Sequence, residues 1–166
     1  PPGKLLALVD NIRSRGQDGG PEANVGQAFE YILKQSATAE GTRGNDSYTP
    51  DSVASLLVAT LNPCRGLIYD PCCGLGNALL HAATSCGPRV RDDRSMGAKA
   101  GVATYGQERS RANWQLATMN LAIRELDGQI ALGDPFHNDF YPNLEADFIL
   151  AAPPFNVSNW GRDRLK

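Results

Sequence analysis

The sequence predicts an α/β fold built around a parallel β-sheet. Residues 67–80 combine a short apolar run, a turn with two glycines and an apolar-periodic segment, which is the order of strand, tight loop and helix. Two later apolar runs also end on an acid, with a helical pattern between them. Strands that alternate with helices in this way form parallel sheets.

Composition limits the class of protein. A chain of 166 residues with 42% hydrophobic content can bury one core. The net charge of −2 provides no global basic field, so any contact with DNA needs a local patch or a partner protein. The sequence lacks a membrane-spanning run and a signal-peptide pattern, so we expect a cytoplasmic protein without membrane contact.

Cysteine and histidine usage gives no metal signature. The four cysteines are Cys64, Cys72, Cys73 and Cys86. They lack paired CxxC spacing and a nearby histidine pair, which favours small buried side chains in a reducing compartment over zinc or disulfides. His81 and His137 have no partner pattern, so we expect both to be structural or solvated. The sequence therefore predicts no metal site.

Helical patterns precede the sheet. Apolar spacing predicts a short helix over residues 4–13 and a second over about 24–36, separated by a glycine-rich linker. The expected apolar face of the second helix consists of Val25, Phe29, Ile32 and Leu33. Residues 39–48 are polar and glycine-rich, which predicts a loop. We therefore separate an N-terminal helical segment, residues 1–46, from a domain over residues 47–166.

A third helix is predicted to begin just after Tyr48. Thr49 is a favourable N-cap, Pro50 fits the first helical position, and Asp51 complements the positive helix end. The helix ends before Pro63. Its expected buried face consists of Val53, Leu56, Leu57 and Leu61. A capped helix start with no further role is the alternative interpretation of this segment.

The turn after the first strand is a candidate ligand loop. Gly74 and Gly76 let the backbone pass close beneath a ligand, and the helix that begins at Asn77 presents unpaired N–H groups there. Asp70 ends the strand beside the same crevice. An ordinary turn is the alternative, because glycine pairs also follow strands without any ligand.

Two more strands end on acids. Residues 102–108 predict a strand that ends at Glu108, about 30 residues after the glycine loop. Dinucleotide-binding folds place a ribose-binding acid about 20 residues after that loop, so Glu108 is a candidate for this role if an insertion lengthens the gap. Residues 129–134 predict a strand that ends at Asp134, which suits a purine amine. A parallel sheet gathers these ends with Asp70 in one crevice. The alternatives are a surface glutamate at Glu108 and an acid that caps its own turn at Asp134.

The remaining elements are a long helix and a fourth strand. Residues 109–125 carry apolar side chains on two sides, which predicts a helix covered twice. A strand is predicted to begin near Ala146 and to end in Pro153 and Pro154, which fix the backbone before the exposed ring of Phe155.

These segments occur in the order found in adenine-specific DNA methyltransferases, and the chain most resembles the modification (M) subunit of type I restriction-modification systems. The matching segments are Tyr48 to Pro50, Asp70 to Gly76, Tyr105 to Glu108, Trp114 to Arg124, Gly133 to Asp134, and residues 147–156. The resemblance covers residues from about 24 to the end. It implies a truncated Rossmann-like sheet of an S-adenosylmethionine-dependent methyltransferase, preceded by short helices.

The resemblance also implies S-adenosylmethionine as the cofactor. The threonine-proline segment and the glycine loop flank its methionine part, the acid after the second strand holds its ribose, and the acid after the third faces its adenine. These roles fall on Tyr48, Thr49, Pro50, Asp70, Gly74, Leu75, Gly76, Glu108 and Asp134. Phe136 is expected to pack on the adenine ring. Leu75 and Asn77 depart from the small residue and the glycine that relatives favour, which implies weakened binding.

The catalytic segment of such enzymes is Asn-Pro-Pro followed by Phe or Tyr. Its asparagine and proline carbonyls accept hydrogen bonds from the amine of a flipped-out base, and the aromatic ring stacks on that base. The resemblance places this segment at Ala152, Pro153, Pro154 and Phe155. Because alanine has no acceptor, half of the amine cradle is missing and we expect impaired catalysis.

Three function classes follow from the resemblance. The first is the adenine methyltransferase domain of an M subunit, with DNA, a specificity (S) subunit and a restriction (R) subunit as partners. The second is a cofactor-binding or DNA-binding subunit that has lost its chemistry, which Ala152 supports. The third, a methyltransferase of glutamine amides or RNA, is disfavoured by the segments at Tyr48 and Glu108. A four-stranded sheet also exposes an edge, which makes self-association a further expectation.

Overall fold

A parallel sheet with helices on its faces forms the protein. The computed structural model describes residues 21–39, 48–85, 102–126, 128–154 and 158. In chain order the elements are α1 (Pro21–Ala39), α2 (Asp51–Leu61), β1 (Gly66–Asp70), α3 (Asn77–Thr84), β2 (Val102–Glu108), α4 (Arg111–Ala122), β3 (Gly128–Leu132) and β4 (Phe148–Ile149). All four strands pair in parallel in the order β3-β2-β1-β4, which confirms the predicted fold class.

Some predictions lie outside the described residues. These are the helix over residues 4–13, the linker after it and the domain boundary after residue 46. Helix α1 includes all residues of the second predicted helix, 24–36, and is longer at both ends. Its inner side carries Ala28 and Leu33, each 3% exposed, whereas Val25 is exposed, contrary to the expected face. The division into residues 1–46 and 47–166 stays a prediction.

The register of the sheet staggers the strand ends. Asp70 pairs with Gly106, so β2 continues for two residues beyond the end of β1. Glu108 in turn pairs with Leu132, and Asp134 follows two residues later. The carboxyl ends of β1, β2 and β3 therefore form neighbouring steps along one edge of the sheet, as their parallel order requires.

Strand β4 is shorter than predicted. It pairs with β1 only through Ile68 with Phe148 and Tyr69 with Ile149. The N–H of Leu150 still donates to the carbonyl of Tyr69 at 3.0 Å, after which the pairing stops. The chain ahead contains Pro153 and Pro154, which have no N–H to continue a ladder.

The core lies between the sheet and helices α2 and α3. Ile68 and Leu79 are fully buried at its centre. A Cβ atom on Gly106 of β2 would lie 3.0 Å from Cys73 Sγ and 3.0 Å from Leu79 Cδ1, so glycine is needed for this close approach. The packing therefore presses the loop after β1 directly against β2.

Helix α2 differs from its prediction in start and orientation. Pro50, not Thr49, occupies the N-cap position, with φ −55° and ψ 142° and no side-chain cap, and the helix begins at Asp51. Ala54 and Val58 are its buried residues. The predicted face is wrong: Val53, Leu56 and Leu57 are exposed, and Leu61 is half-buried. The helix carries apolar side chains around most of its circumference. Spacing alone therefore did not identify the side with the small residue Ala54, which packs against α3.

Helix α4 is covered unequally on its two sides. Ala117 and Leu121 are buried, as predicted. On the other side Leu116 and Ile123 are half-buried and Met119 is 49% exposed, so the predicted second covering is partial within the described residues. Trp114 is half-buried and its Nε1 donates to the carbonyl of Ile130 at 2.7 Å, which fixes the helix to strand β3. Shorter than predicted, α4 begins at Arg111 because the side chain of Ser110 caps it.

Candidate functional site

Asp70 is the most buried acid at the carboxyl edge. It ends β1, is 3% exposed, and its Oδ1 accepts a hydrogen bond of 2.9 Å from the N–H of Cys72. Burial raises the pKa of its carboxyl to about 7, the Cys72 N–H opposes this shift, and the charge of Glu108 adds to it. Asp70 therefore exchanges a proton near neutral pH.

Glu108 connects β2 to the glycine loop. It is 8% exposed, and its Oε1 accepts a 2.7 Å hydrogen bond from the N–H of Ser110. Burial raises the pKa of Glu108, whereas hydrogen bonds from the backbone of Ser110 and Gly74 and from the side chain of Asn113 lower it. The predicted ribose acid is thus held by the loop itself, so that acid and loop form one unit.

Asp134 lies at the third step of the edge and is bonded to its own turn. Its Oδ1 accepts from the N–H of Phe136 at 2.9 Å, and its Oδ2 lies 3.1 Å from Nδ1 of His137. Asp134 therefore caps its own turn, and its contact with adenine stays a prediction. His137 has an acidic partner that the sequence pattern did not indicate.

The glycine loop adopts left-handed backbone at both glycines. Gly74 has φ 56° and Gly76 has φ 79°, conformations that favour residues without a Cβ. The N–H of Gly76 donates to the carbonyl of Cys73 at 2.8 Å, which closes the turn. Leu75, between them, is 6% exposed. Helix α3 starts directly after Gly76, as predicted.

Two buried amides outside the predicted set hold the loops of the site. Asn120 of α4, which is 1% exposed, donates from Nδ2 to the carbonyl of Leu75 at 3.2 Å. Gln107 of β2, fully buried, donates from Nε2 to the carbonyl of Asn138 at 2.7 Å. In the sequence, these two roles are indicated only by the amide side chains of Asn120 and Gln107, which stand where the apolar pattern predicts a buried apolar residue.

The segment before α2 approaches the glycine loop from the other side. Tyr48 and Thr49 are half-buried, and the hydroxyl of Tyr48 donates to Asp51 Oδ1 at 2.7 Å. Burial and the neighbouring Asp51 raise the pKa of Tyr48 above its usual range, so it remains a neutral donor. Pro50 is exposed.

The segment predicted to be catalytic leaves the sheet beside β1. Ala152 and Pro153 are exposed and Pro154 is half-buried, whereas Phe155 lies outside the described residues. Because β4 pairs with β1 in parallel, this segment follows the same edge on which Asp70 lies. The structure therefore brings the segment to the edge that carries the three acids.

The described residues contain no group of His, Cys, Asp and Glu side chains able to hold a metal ion. Cys72 and Cys73 are free, and burial raises the pKa of both thiols. Cys64, in contrast, is disulfide-bonded, so the prediction of a free thiol is wrong there. Sequence spacing does not report which cysteines meet in space.

None of the described helices is both long and apolar enough for a membrane span.

Comparison with known proteins identifies the family. The sequence model of the family described as N-6 DNA Methylase matches residues 22–166. The chain belongs to this family. Asp70 and Glu108 end neighbouring strands and Asp134 follows the third, which is the order expected for this family from the sequence.

Relatives within the N-6 DNA methylase family are methylase subunits. The HindI type I restriction enzyme methylase subunit of Haemophilus influenzae is 36% identical over 152 residues, covering 88% of this chain and 32% of that protein. The MjaIX methylase subunit of Methanocaldococcus jannaschii is 33% identical over 141 residues, covering 85% and 24%. The chain thus spans between about a quarter and a third of these relatives.

A solved structure shares this fold. The type I restriction-modification methyltransferase subunit from Streptococcus thermophilus superposes with a TM-score of 0.62 at 27% identity. The match covers 81% of this chain and 28% of that subunit. The Rossmann-like α/β fold expected from the sequence is therefore confirmed.

Proposed function

We propose that this N-6 DNA methylase chain is the cofactor-binding part of an adenine N6-methyltransferase, the M subunit of a type I restriction-modification system. The observation that carries the proposal is the edge where Asp70 and Glu108 end two neighbouring strands and Asp134 follows the third by two residues, beside the glycine loop. The similarity to type I methylase subunits supports the type of system.

S-adenosylmethionine is the proposed cofactor, and the residues of the edge fit its chemistry. The buried carboxyls of Asp70 and Glu108 suit a cationic ligand that carries ribose hydroxyls, because carboxylates accept strong charge-assisted hydrogen bonds. Tyr48, Thr49 and Pro50 border the methionine part. The glycines with positive φ have no Cβ atom, so the backbone of the loop can pass close beneath a ligand. The other proposed contacts are Gly74, Leu75, Gly76, Asp134 and Phe136.

When bound, S-adenosylmethionine supplies the methyl group, and the protein must orient the target amine. Pro153 offers a backbone carbonyl as acceptor, and Phe155 is the proposed stacking residue for a flipped-out adenine. Ala152 offers no side-chain acceptor at the position of the motif asparagine. We therefore propose impaired transfer, and Ala152 favours an inactive cofactor-binding or DNA-binding subunit as the second candidate.

The proposed partners follow from the type of system. Duplex DNA is the substrate, an S subunit provides base recognition and an R subunit provides cleavage. Among the described strands, β3 has β2 on one side and no strand on the other, so we propose that this edge pairs with a further copy or a partner.

Calorimetric titration with S-adenosylmethionine, paired with a methyl-transfer assay on adenine-containing duplex DNA, tests the proposal. Binding with a stoichiometry of about one per chain is expected. Binding without transfer supports the inactive subunit, and binding with transfer supports the enzyme. A folded chain that does not bind the cofactor overturns both.

A further inference from the structure

Asn77 forms a side-chain bridge between two segments that are distant in sequence. It is the first residue of α3, directly after the glycine loop, and is 3% exposed. Its Nδ2 donates to the carbonyl of Thr49 at 2.6 Å and to Oδ1 of Asp51 at 3.1 Å. One buried amide therefore spans the gap between the glycine loop and the segment before α2.

The orientation of this amide is fixed by its partners. A backbone carbonyl and a carboxylate are acceptors, so the NH₂ group of Asn77 must face both Thr49 and Asp51. The Oδ1 atom then points away and is buried without a hydrogen-bond partner in the described part of the chain. Leaving a buried acceptor unpaired costs free energy. The bridge is thus maintained despite a cost that a glycine or alanine at this position would avoid.

The bridge also includes the tyrosine of the upstream segment. Tyr48 donates its hydroxyl to the same Oδ1 atom of Asp51 that accepts from Asn77. The carboxylate of Asp51 also lies 3.7 Å from Nε2 of His81, one helical turn further along α3. Tyr48, Thr49 and Asp51 are therefore all positioned by contacts that begin at α3.

We infer that Asn77 is a positioning residue that holds the Tyr48–Asp51 segment over the glycine loop and thereby sets affinity for the aminoacid part of the cofactor. The inference rests on the proposed function, in which these two segments border the methionine moiety. The ribose and adenine contacts are proposed at Glu108, at the end of β2, and at Asp134, just after β3. Replacement of Asn77 is therefore expected to weaken binding of the aminoacid part of the cofactor and to leave the contacts with ribose and adenine unchanged.

Two ligands that differ only at that end separate this role from a general structural one. S-adenosylhomocysteine carries the aminoacid part, whereas 5′-methylthioadenosine has the same adenosine and thioether without it. The N77A variant is expected to bind S-adenosylhomocysteine about tenfold more weakly, the equivalent of one lost positioning contact, and to bind 5′-methylthioadenosine within about twofold of the parent.

Two control variants show what no effect and a non-selective loss of affinity look like in the same calorimetric titrations. S52A changes an exposed residue next to Asp51 and is expected to bind both ligands like the parent. E108A changes the proposed ribose contact and is expected to weaken both ligands by a similar factor. Circular dichroism of each variant verifies that it is folded.

The outcomes separate the inference from the proposed function. If the parent binds both ligands and N77A weakens both equally or neither, the inference is overturned and the proposed function stands. If the parent binds neither ligand, both are overturned. Should N77A fail to fold, D51A removes the other end of the bridge at a side chain that is 37% exposed. A selective loss of about threefold for S-adenosylhomocysteine supports the inference, and an equal loss for both ligands overturns it.

Discussion

Asn120 of α4 supports the glycine loop by donating its side-chain amide to the carbonyl of Leu75 at 3.2 Å. The Oδ1 atom of Asn120 accepts from Nη1 of Arg124. Arg124 in turn donates to the carbonyl of Gly26 at 2.7 Å and pairs with Glu30 at 3.0 Å. Helix α1 is therefore connected to the glycine loop through the side chains of Arg124 and Asn120.

We expect N120A to lower the free energy of unfolding by about 1–3 kcal/mol, because Asn120 is 1% exposed and its loss leaves the Leu75 carbonyl without this donor. Urea unfolding followed by circular dichroism measures the change. Q115A, an exposed position on the same helix, is the control and should stay within about 0.5 kcal/mol of the parent. Equal stabilities of the two variants would contradict the role of Asn120.

The raised pKa of Asp70 predicts a pH-dependent cost to stability. Its carboxyl changes from an ordinary value of 3.8 to about 7 on folding, so between these values the folded state binds more protons than the unfolded state. The group therefore destabilises the fold progressively as the pH rises through this window. D70N keeps an acceptor for the N–H of Cys72 and should be more stable than the parent at pH 8, on the order of 1–4 kcal/mol.

The gain from D70N should shrink as the pH falls and become small near pH 4, where the parent carboxyl is protonated in the folded state and about half protonated in the unfolded state. Urea titrations at pH 4, 6 and 8 measure it. The same variant should bind S-adenosylmethionine more weakly, since the carboxylate is lost from the proposed site. A gain that is the same at pH 4 and pH 8 would show that the titration of Asp70 is not its cause.

Replacement of Glu108 should weaken cofactor binding. A carboxylate accepts from both ribose hydroxyls, so we expect E108A to lose roughly 1–3 kcal/mol of binding free energy in a calorimetric titration. E108Q keeps an acceptor for the N–H of Ser110 and therefore separates the loss of charge from local disruption. Unchanged affinity in E108A would remove Glu108 from the site.

The chain alone should bind duplex DNA weakly and without sequence preference. Its net charge is −2, so phosphate contacts must come from local arginines. The candidates are Arg109, Arg111, Arg162 and Arg164, for which a solvated face is the alternative interpretation. R111A, at an exposed position, should reduce the salt dependence of fluorescence-anisotropy titrations by about one ion. Tight, sequence-selective binding would refute this prediction.

Restoring the motif asparagine should increase methyl transfer. If the missing acceptor limits the chemistry, A152N should raise the rate by a factor on the order of 100–1000, because an unoriented amine does not direct its lone pair at the methyl group. The two proteins are compared in the presence of the proposed specificity partner. Equal rates for two folded, cofactor-binding proteins would show that position 152 does not limit transfer.

The sequence predicted the strands better than the contacts between elements. An apolar run that ends on an acid is a local pattern, so the ends of β1 and β2 at Asp70 and Glu108 were predicted correctly. The partner of Asn120 lies 45 residues earlier in the chain, and no local pattern encodes that distance. The exposed Leu56 shows the same limit, since which side of α2 is buried depends on how α3 packs against it.

The two-pair ladder between β4 and β1 implies unequal rates of amide hydrogen exchange along the sheet. Strand β2 has neighbours on both sides, so its amides should exchange only when most of the protein unfolds. The N–H of Leu150, directly after β4, donates to Tyr69 where the ladder ends, so we expect it to exchange through local opening. We therefore expect the amide of Leu150 to exchange faster than the amides of strand β2, which carries Glu108.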